Sequence, residues 1–295
     1  MFERKVHDVN EQRIHALHAG PVNAPIMLML HGFPEFSDAW AAVAERFADR
    51  YHIVLPDQRG CGRSSKPHGT EHYAPKHLAA DMIALVRSVS PARPVVLCGH
   101  DWGASVAYAM TFREPNMFSH LVIANGVHPL TFQRALLAGG PQTEASQYIL
   151  TLRDPASADR MAEDGFRRTF RMLEKFSTAP WLDVETRARY RRIWQEALPT
   201  MIEWYRATPL EVPPAGSPAR TLPFTTETLN RYRVYCPHLV VWGVEDTALL
   251  PEAREGLDAF CEDLTVHEIE GASHWLLHER PDEVAAVVQD WLDRA

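Results

Sequence analysis

The chain has 295 residues, of which 46% are hydrophobic and 23% charged, and its formal net charge at pH 7 is −8. This composition is that of an ordinary globular protein, long enough for one large α/β domain or for a core with an inserted subdomain. The acidic balance argues against a nucleic-acid-binding surface, which needs a basic face.

The periodicity of apolar residues predicts a sheet protein with interleaved helices. Residues 2–19 alternate polar and apolar side chains around a central VNEQ, which predicts an antiparallel hairpin. Continuous apolar runs predict strands at 25–30, 51–56, 94–99, 120–126, 238–243 and 264–269, and helical patterns lie near 38–49, 76–89, 103–113, 250–260 and 281–293. Continuous runs are typical of strands buried on both faces, and strand–helix alternation favours a mostly parallel sheet.

One segment interrupts this alternation. Between about residues 129 and 225 there is no strand-like run, and the segment is rich in Arg, Glu, Ala and aromatic residues at helical spacing. It ends in the Pro-rich stretch PPAGSPARTLPF. We therefore predict a core formed by residues 1–128 and 226–295, with residues 129–225 inserted as a helical unit.

The stretch VVLCGHDWGA places Asp101 at the turn between a predicted strand and a helix. The flanking glycines leave room for a tight turn, and the helix start offers N–H groups to an anion. A carboxylate that attacks a saturated carbon gives an alkyl ester that water can hydrolyse, whereas attack on an ester gives a reactive anhydride. Asp101 therefore favours displacement at carbon, as in epoxide opening or dehalogenation. The alternative is that Asp101 only caps the helix. An esterase is disfavoured because no Ser occupies this turn.

Two further Gly-containing stretches follow predicted strands. HGFPE, residues 31–35, can aim a backbone N–H into the site, so the N–H groups of Phe33 and Trp102 would form an oxyanion hole. An ordinary turn is the alternative. The stretch DQRGCGRS, residues 57–64, lacks the pattern of a phosphate-binding loop, and we interpret it as scaffold.

A base and its orienting acid are predicted from the last two strands. His274, in GASHW, can lie over the turn and activate water; His267 lies within a strand run, and His278 is expected at the surface. Asp246, in WGVED, would orient the base and is preferred to the neighbouring Glu245.

The order HGFPE, DQRGCGRS, GHDWGA, WGVED and GASHW spans almost the whole chain and closely resembles the α/β-hydrolase fold family. Within that family it is similar to the epoxide hydrolases and their dehalogenase relatives. The resemblance implies a mostly parallel twisted sheet flanked by helices, with the insertion as a cap. It implies Asp101 as nucleophile, His274 as base, Asp246 as its acid and the N–H groups of Phe33 and Trp102 as the oxyanion hole. It also makes the peptide before Pro34 a candidate for the cis form.

Epoxide and halide chemistry differ in their need for a proton. Epoxide opening generates a basic alkoxide, which a tyrosine can protonate, whereas halide loss needs only N–H donors. The segment WYR resembles the one whose tyrosine has this role in epoxide hydrolases, which implies that Tyr205 is the acid. The family's second tyrosine would fall near Thr151; Tyr148 is the best candidate here, and Tyr190 is a weaker one. Packing of these rings in the cap is the alternative for each.

Dehalogenases of the family differ at other positions. Many hold halide with Asn or a cap Trp, and here the residue after His31-Gly32 is Phe33. Fluoroacetate dehalogenases have arginines where this chain has Trp102 and Val106, which argues against a small carboxylate substrate.

We therefore expect an epoxide hydrolase that forms a vicinal diol, with an apolar small-molecule epoxide of undefined size and water as its partners, and with no nucleic acid, cofactor or metal. A haloalkane dehalogenase and a cap-enclosed ligand-binding homologue with little turnover are the alternatives. The polar N-terminal stretch, the absence of an apolar run of roughly 18 residues and four cysteines without C-x-x-C spacing predict a cytoplasmic protein with reduced thiols. A monomer and a homodimer are both compatible with the sequence.

Overall fold

A computed structural model describes residues 2–294 of the chain. Its centre is one sheet of eight strands in the order β1-β2-β4-β3-β5-β6-β7-β8. The strands are β1 Glu3–Val9, β2 Gln12–Ala19, β3 Ile26–Leu30, β4 His52–Pro56, β5 Val95–His100, β6 Phe118–Ala124, β7 His238–Gly243 and β8 Leu264–Ile269. β1 and β2 form the predicted antiparallel hairpin, β2 pairs antiparallel with β4, and the other pairs are parallel. The predicted fold class is confirmed.

Helices lie between the strands from β3 to β7 and after β8. They are α1 Ala41–Ala44, α2 Pro75–Val89, α3 Trp102–Arg113, α4 Pro129–Leu137, α5 Pro141–Ala145, α6 Gln147–Arg153, α7 Ser157–Lys175, α8 Val184–Ala207, α9 Thr226–Arg231, α10 Leu276–Glu279 and α11 Pro281–Leu292. Several begin at a proline, whose missing N–H costs nothing in the first turn. None of the helices in the described part of the chain is long and apolar enough to cross a membrane.

Two predicted elements differ in the structure. The expected helix at 250–260 is a pair of short 3₁₀ turns, Pro251–Arg254 and Leu257–Phe260, because Gly256 lies between them with a left-handed φ of +72°. The expected helix at 38–49 is α1 between two 3₁₀ turns, Ser37–Trp40 and Glu45–Phe47. Further 3₁₀ turns lie at Thr70–Tyr73 and Pro115–Met117.

The sheet separates two hydrophobic cores. Along β3, Leu28 and Leu30 belong to the core that includes α2 and α3, while Met27 and Met29 belong to the core that includes α11. This alternation is the two-residue period of a strand with both faces covered. Strands β3, β4, β5 and β7 are buried throughout, whereas β8, at the edge, buries only Ile269.

The helices α4 to α8 lie in the chain between β6 and β7, and α8 is bound to loops of the sheet layer. The indole N–H of Trp194 donates to the carbonyl of Pro34 at 2.7 Å, and that of Trp204 donates to the carbonyl of Arg59 at 3.0 Å. Both indoles are buried, so these hydrogen bonds hold α8 in one position over the strand ends. The domain boundaries at 128 and 225 stay a prediction.

Candidate active site

Asp101 joins β5 to α3 in a conformation that few residues adopt. Its φ is +51° and its ψ −118°, outside the regions open to most L-residues. The turn lies so close to β3 that a Cβ on Gly103 would be 2.1 Å from the carbonyl oxygen of Leu30, so only glycine fits there. The Asp101 side chain makes no capping hydrogen bond to its own helix. The alternative role as a helix cap therefore does not account for this aspartate.

The carboxylate of Asp101 faces two predicted partners. The backbone N–H of Phe33 donates to its Oδ1 at 2.7 Å, and Nε2 of His274 lies 3.7 Å from its Oδ2. The Phe33-Pro34 peptide is cis, as expected from the resemblance. Trp102 follows Asp101 directly and its ring lines the adjoining cavity, while the donor role of its N–H stays a prediction.

His274 is hydrogen-bonded to the predicted acid. Its Nδ1 lies 2.7 Å from Oδ2 of Asp246, and both side chains are buried. Glu245, the neighbouring carboxylate, is exposed, and so is His267. The structure therefore brings Asp101, His274 and Asp246 together and leaves the two alternatives outside the site.

Asp246 is held by more donors than the sequence predicts. Its Oδ1 accepts the backbone N–H groups of Ala248 and Leu249 at 2.7 and 2.9 Å, and its Oδ2 accepts the side-chain amide of Asn125 at 2.5 Å. Asn125 in turn accepts the N–H of Gly243 at 2.7 Å. Asn125 was not predicted; its signal is a polar residue just beyond the carboxyl end of β6, the edge at which the other site residues lie.

The charges of Asp101 and Asp246 stabilise the ionised form of His274, whose charge in turn stabilises that of Asp246. Burial alone would lower the pKa of His274, but Asp246 and Asp101 raise it to about 10. Burial alone would raise the pKa of Asp246, but the charge of His274 and hydrogen bonds from His274 and Asn125 lower it below its ordinary value. His274 is therefore an imidazolium between two carboxylates at neutral pH.

Tyr205 on α8 and Tyr148 on α6 lie beside Asp101. The ring centroid of Tyr205 is 5.0 Å from that of Trp102, 4.9 Å from that of Phe33 and 6.2 Å from that of Tyr148. Burial, together with the nearby Asp101 charge, raises the pKa of both hydroxyls, so each stays protonated at neutral pH.

Tyr190, the weaker candidate, and Thr151, the position at which the family's second tyrosine would fall, lie elsewhere. The hydroxyl of Tyr190 donates to Glu35 Oε1 at 3.3 Å, and Thr151 is exposed.

A cavity of about 320 Å³ opens in front of Asp101, Tyr148 and Tyr205. Among the described residues that line it, Asp101 is the one with a charged side chain, and the others are apolar or carry uncharged polar groups. Such an apolar cavity with a few convergent polar groups is typical of a small-molecule site. Among residues 2–294 no cluster of His, Cys, Asp and Glu could hold a metal ion.

Behind His274 lies a buried cluster centred on Glu35, which the sequence did not predict. Glu35 Oε2 lies 3.1 Å from His100 Nδ1, and Glu35 Oε1 lies 2.6 Å from His278 Nε2. The other nitrogen of His100 contacts the carbonyl oxygen of His274 at 2.8 Å. Burial would raise the pKa of Glu35, but hydrogen bonds and charge from the two imidazoles lower it. The cluster therefore connects the turn at Asp101 to the backbone of His274.

His278, which was expected at the surface, is only partly exposed. Its ring stacks on Trp181 with centroids 4.0 Å apart, and 18% of its side chain is exposed. The buried carboxylate of Glu35 attracts this imidazole into the protein, where the aromatic face covers it.

Comparisons with known proteins show which proteins the chain is similar to. The family model described as the alpha/beta hydrolase fold matches residues 25–281. An AB hydrolase superfamily protein of Bacillus subtilis is 29% identical over 97% of this chain and 96% of its own, and epoxide hydrolase 3 of Xenopus tropicalis is 29% identical over 95% of this chain and 74% of its own. A solved structure described among novel epoxide hydrolases of the alpha/beta hydrolase superfamily, from metagenomes of hot environments, is 32% identical, covers 99% of both chains and has a TM-score of 0.86.

Proposed function

Because the chain belongs to the α/β-hydrolase fold family, in its epoxide hydrolase branch, we propose that it converts an epoxide to a vicinal diol through an ester on Asp101. The observation that carries the proposal is the Asp101 carboxylate itself. One oxygen is held by the Phe33 N–H, and the other faces His274 at the edge of an apolar cavity that two tyrosines also line.

In the first step Oδ2 of Asp101 attacks an epoxide carbon. The new C–O bond forms as the ring C–O bond breaks, and the ring oxygen takes a proton from Tyr205, with Tyr148 as the second donor. Both tyrosines hold their protons at neutral pH because their pKa values are raised. The tyrosinate is then reprotonated from water.

In the second step water hydrolyses the ester. Once Asp101 is esterified, one of the two charges that raise the pKa of His274 is gone, so the imidazolium can lose its proton to solvent and act as a base. It takes a proton from water, and the resulting hydroxide attacks the ester carbonyl carbon. The Phe33 N–H at Oδ1 stabilises the negative charge that develops there. Collapse breaks the bond between the carbonyl carbon and Oδ2 of the substrate ester, and the released diol oxygen takes the proton from His274. Asp101 is left as a carboxylic acid, whose proton passes to the neutral His274 and restores the resting carboxylate and imidazolium.

The two tyrosines favour an epoxide over a haloalkane. A halide leaves as an anion and needs no proton, so neither hydroxyl would have a task in dehalogenation. The cavity wall also carries no cation that would bind a carboxylate substrate.

A single turnover in ¹⁸O-labelled water tests the proposal. The ester route takes the first diol oxygen from Asp101, so the first diol should be unlabelled and the label should be found in the Asp101 peptide. Direct attack of water on the epoxide would label the first diol and leave Asp101 unlabelled, which would refute the ester. Halide release from matched haloalkanes, without diol formation from any epoxide, would refute epoxide hydrolysis.

A further inference from the structure

The cavity is elongated along one face of α3. Trp102, Ser105, Ala109 and Phe112 all line it, and their spacing of three, four and three residues places them on one side of the helix. At 1.5 Å per residue, the wall from Trp102 to Phe112 is about 15 Å long. Asp101 lies at one end of this wall, so a substrate that reacts there extends along α3 in one direction.

The side of Asp101 that faces His274 is closed by buried side chains. Phe176, His274 and Trp275 are 8%, 4% and 2% exposed, and none of them lines the cavity. The rings are in contact, with centroids 6.5 Å apart between Phe176 and His274 and 4.8 Å apart between His274 and Trp275. Since interiors of this density accept added carbon atoms only at a cost, a second large substituent on that side of the epoxide has no room.

The width of the cavity changes along α3. Ser105 and Ala109 are small and half-buried in its middle, whereas the distal end is formed by Phe112 and Tyr232, with ring centroids 5.3 Å apart. A volume of about 320 Å³ corresponds to on the order of ten non-hydrogen atoms, taking roughly 30 Å³ for each. A chain or narrow ring can therefore pass over Ala109 and reach the aromatic pair.

Resting on the function proposed above, we propose that this enzyme selects epoxides with one elongated, uncharged apolar substituent, and that Ala109 sets the length it accepts. The epoxide carbons lie at Asp101, the substituent lies along α3 towards Ala109, and only a longer substituent reaches Phe112 and Tyr232. Epoxides with a large group on both ring carbons are poor substrates, because one group would have to enter the closed side.

A series of epoxides tests both parts. Wild-type kcat/KM for the terminal epoxides of butene, hexene and octene should rise by up to roughly three- to fourfold per methylene that the groove buries. The mid-chain isomer of octene oxide, with the same formula, should be at least about tenfold poorer than the terminal one. Ala109→Leu should lower kcat/KM for octene oxide by about tenfold or more and leave butene oxide within about twofold.

Ala286→Leu is the matched control, because it adds the same atoms to an exposed position of α11 and should leave the whole series unchanged. Circular dichroism and the thermal unfolding transition report whether Ala109→Leu is folded; if it is not, the smaller Ala109→Val takes its place with the same expected contrast. An equal loss at every chain length, or a mid-chain isomer as good as the terminal one, would overturn the assignment of the groove. Diol formation from none of the epoxides would instead overturn the proposed function.

Discussion

The substitution Asp246→Asn replaces one carboxylate oxygen with an NH₂ group, and the hydrogen bonds of Asp246 allow its effect on the site to be predicted. Both oxygens of Asp246 accept hydrogen bonds, Oδ1 from two backbone N–H groups and Oδ2 from His274 and Asn125. An amide NH₂ must point at one of these two sets of donors. If it replaces Oδ1, two buried N–H groups lose their acceptor, at about 1–3 kcal/mol of stability each.

If the NH₂ instead replaces Oδ2, it donates to Nδ1 of His274 and forces the hydrogen of the neutral ring onto Nε2. That nitrogen is the one that lies 3.7 Å from Asp101 and must accept a proton from water. In either orientation the charge that raises the pKa of His274 is also lost. Loss of the orienting carboxylate in comparable triads costs about 10⁴-fold, so ester hydrolysis should slow by about 10³–10⁴-fold, which is ~4–5.5 kcal/mol of barrier.

Single-turnover kinetics followed by intact-protein mass spectrometry measure this effect. Ester formation should stay within about tenfold of wild type, and the protein should accumulate at a mass higher by one epoxide, with the ester on Asp101. Glu245→Gln is the matched control: it makes the same change on the adjacent, exposed carboxylate and should not slow either step. Normal ester hydrolysis in Asp246→Asn, or a slow step in Glu245→Gln, would refute the assignment.

Four other outcomes are expected. Asp101→Ala should abolish diol formation without unfolding the protein, and more than a few per cent of residual activity in a product assay would exclude Asp101 as nucleophile. Asp101→Asn, a neutral mimic of the ester, should move the NMR titration of His274 well below its pKa of about 10; an unchanged titration would show that Asp101 does not hold the proton there. Tyr205→Phe should slow ester formation by about 10²–10⁴-fold if Tyr205 is the only proton donor, and by less if Tyr148 also donates, while hydrolysis of the ester should stay near normal. Unchanged ester formation in the variant with both tyrosines replaced by Phe would refute the acid role. Burial lowers the pKa of His18 from 6.5 to about 3, so between these pH values the unfolded chain binds a proton that the folded chain does not. The free energy of unfolding should therefore fall as pH drops from 6.5 towards 3, by up to ~1.4 kcal/mol per pH unit. Urea unfolding at several pH values should show a weaker pH dependence of stability in His18→Gln, and an equal pH dependence would exclude His18 as its source.

The sheet and the turn at Asp101 could be predicted because their signals are local. A strand covered on both faces is a continuous apolar run, and a residue that follows such a run lies at the carboxyl edge of the sheet wherever the strand is placed. The same reasoning failed at 250–260, where apolar spacing indicated a helix but Gly256 takes a left-handed φ. At the edge strand β8, the apolar run predicts a strand buried on both faces, but only Ile269 is buried.

Contacts between distant segments could not be predicted in this way. Glu35 and His278 are 243 residues apart in the chain and meet only because two strand ends and a helix start converge beneath His274. No periodicity in either segment carries that information. The second tyrosine of the site is an intermediate case. The sequence makes both Tyr148 and Tyr190 candidates, and only the fold distinguishes them: Tyr148 lines the cavity, whereas the hydroxyl of Tyr190 is bound to Glu35.

The negative charge of Asp101 influences both steps of the proposed reaction, ester formation and ester hydrolysis. Burial raises the pKa of Tyr205 and the Asp101 carboxylate adds to this effect, while Asp246 and Asp101 together raise the pKa of His274 against the effect of burial, so in the resting enzyme the tyrosine keeps its proton and the histidine is protonated. Ester formation neutralises this carboxylate and removes that influence from both groups. The tyrosine then becomes a stronger acid as the alkoxide forms, and the histidine can give up its proton only after there is an ester for water to attack. In the proposed reaction, this change of charge therefore favours deprotonation of His274 after the ester has formed.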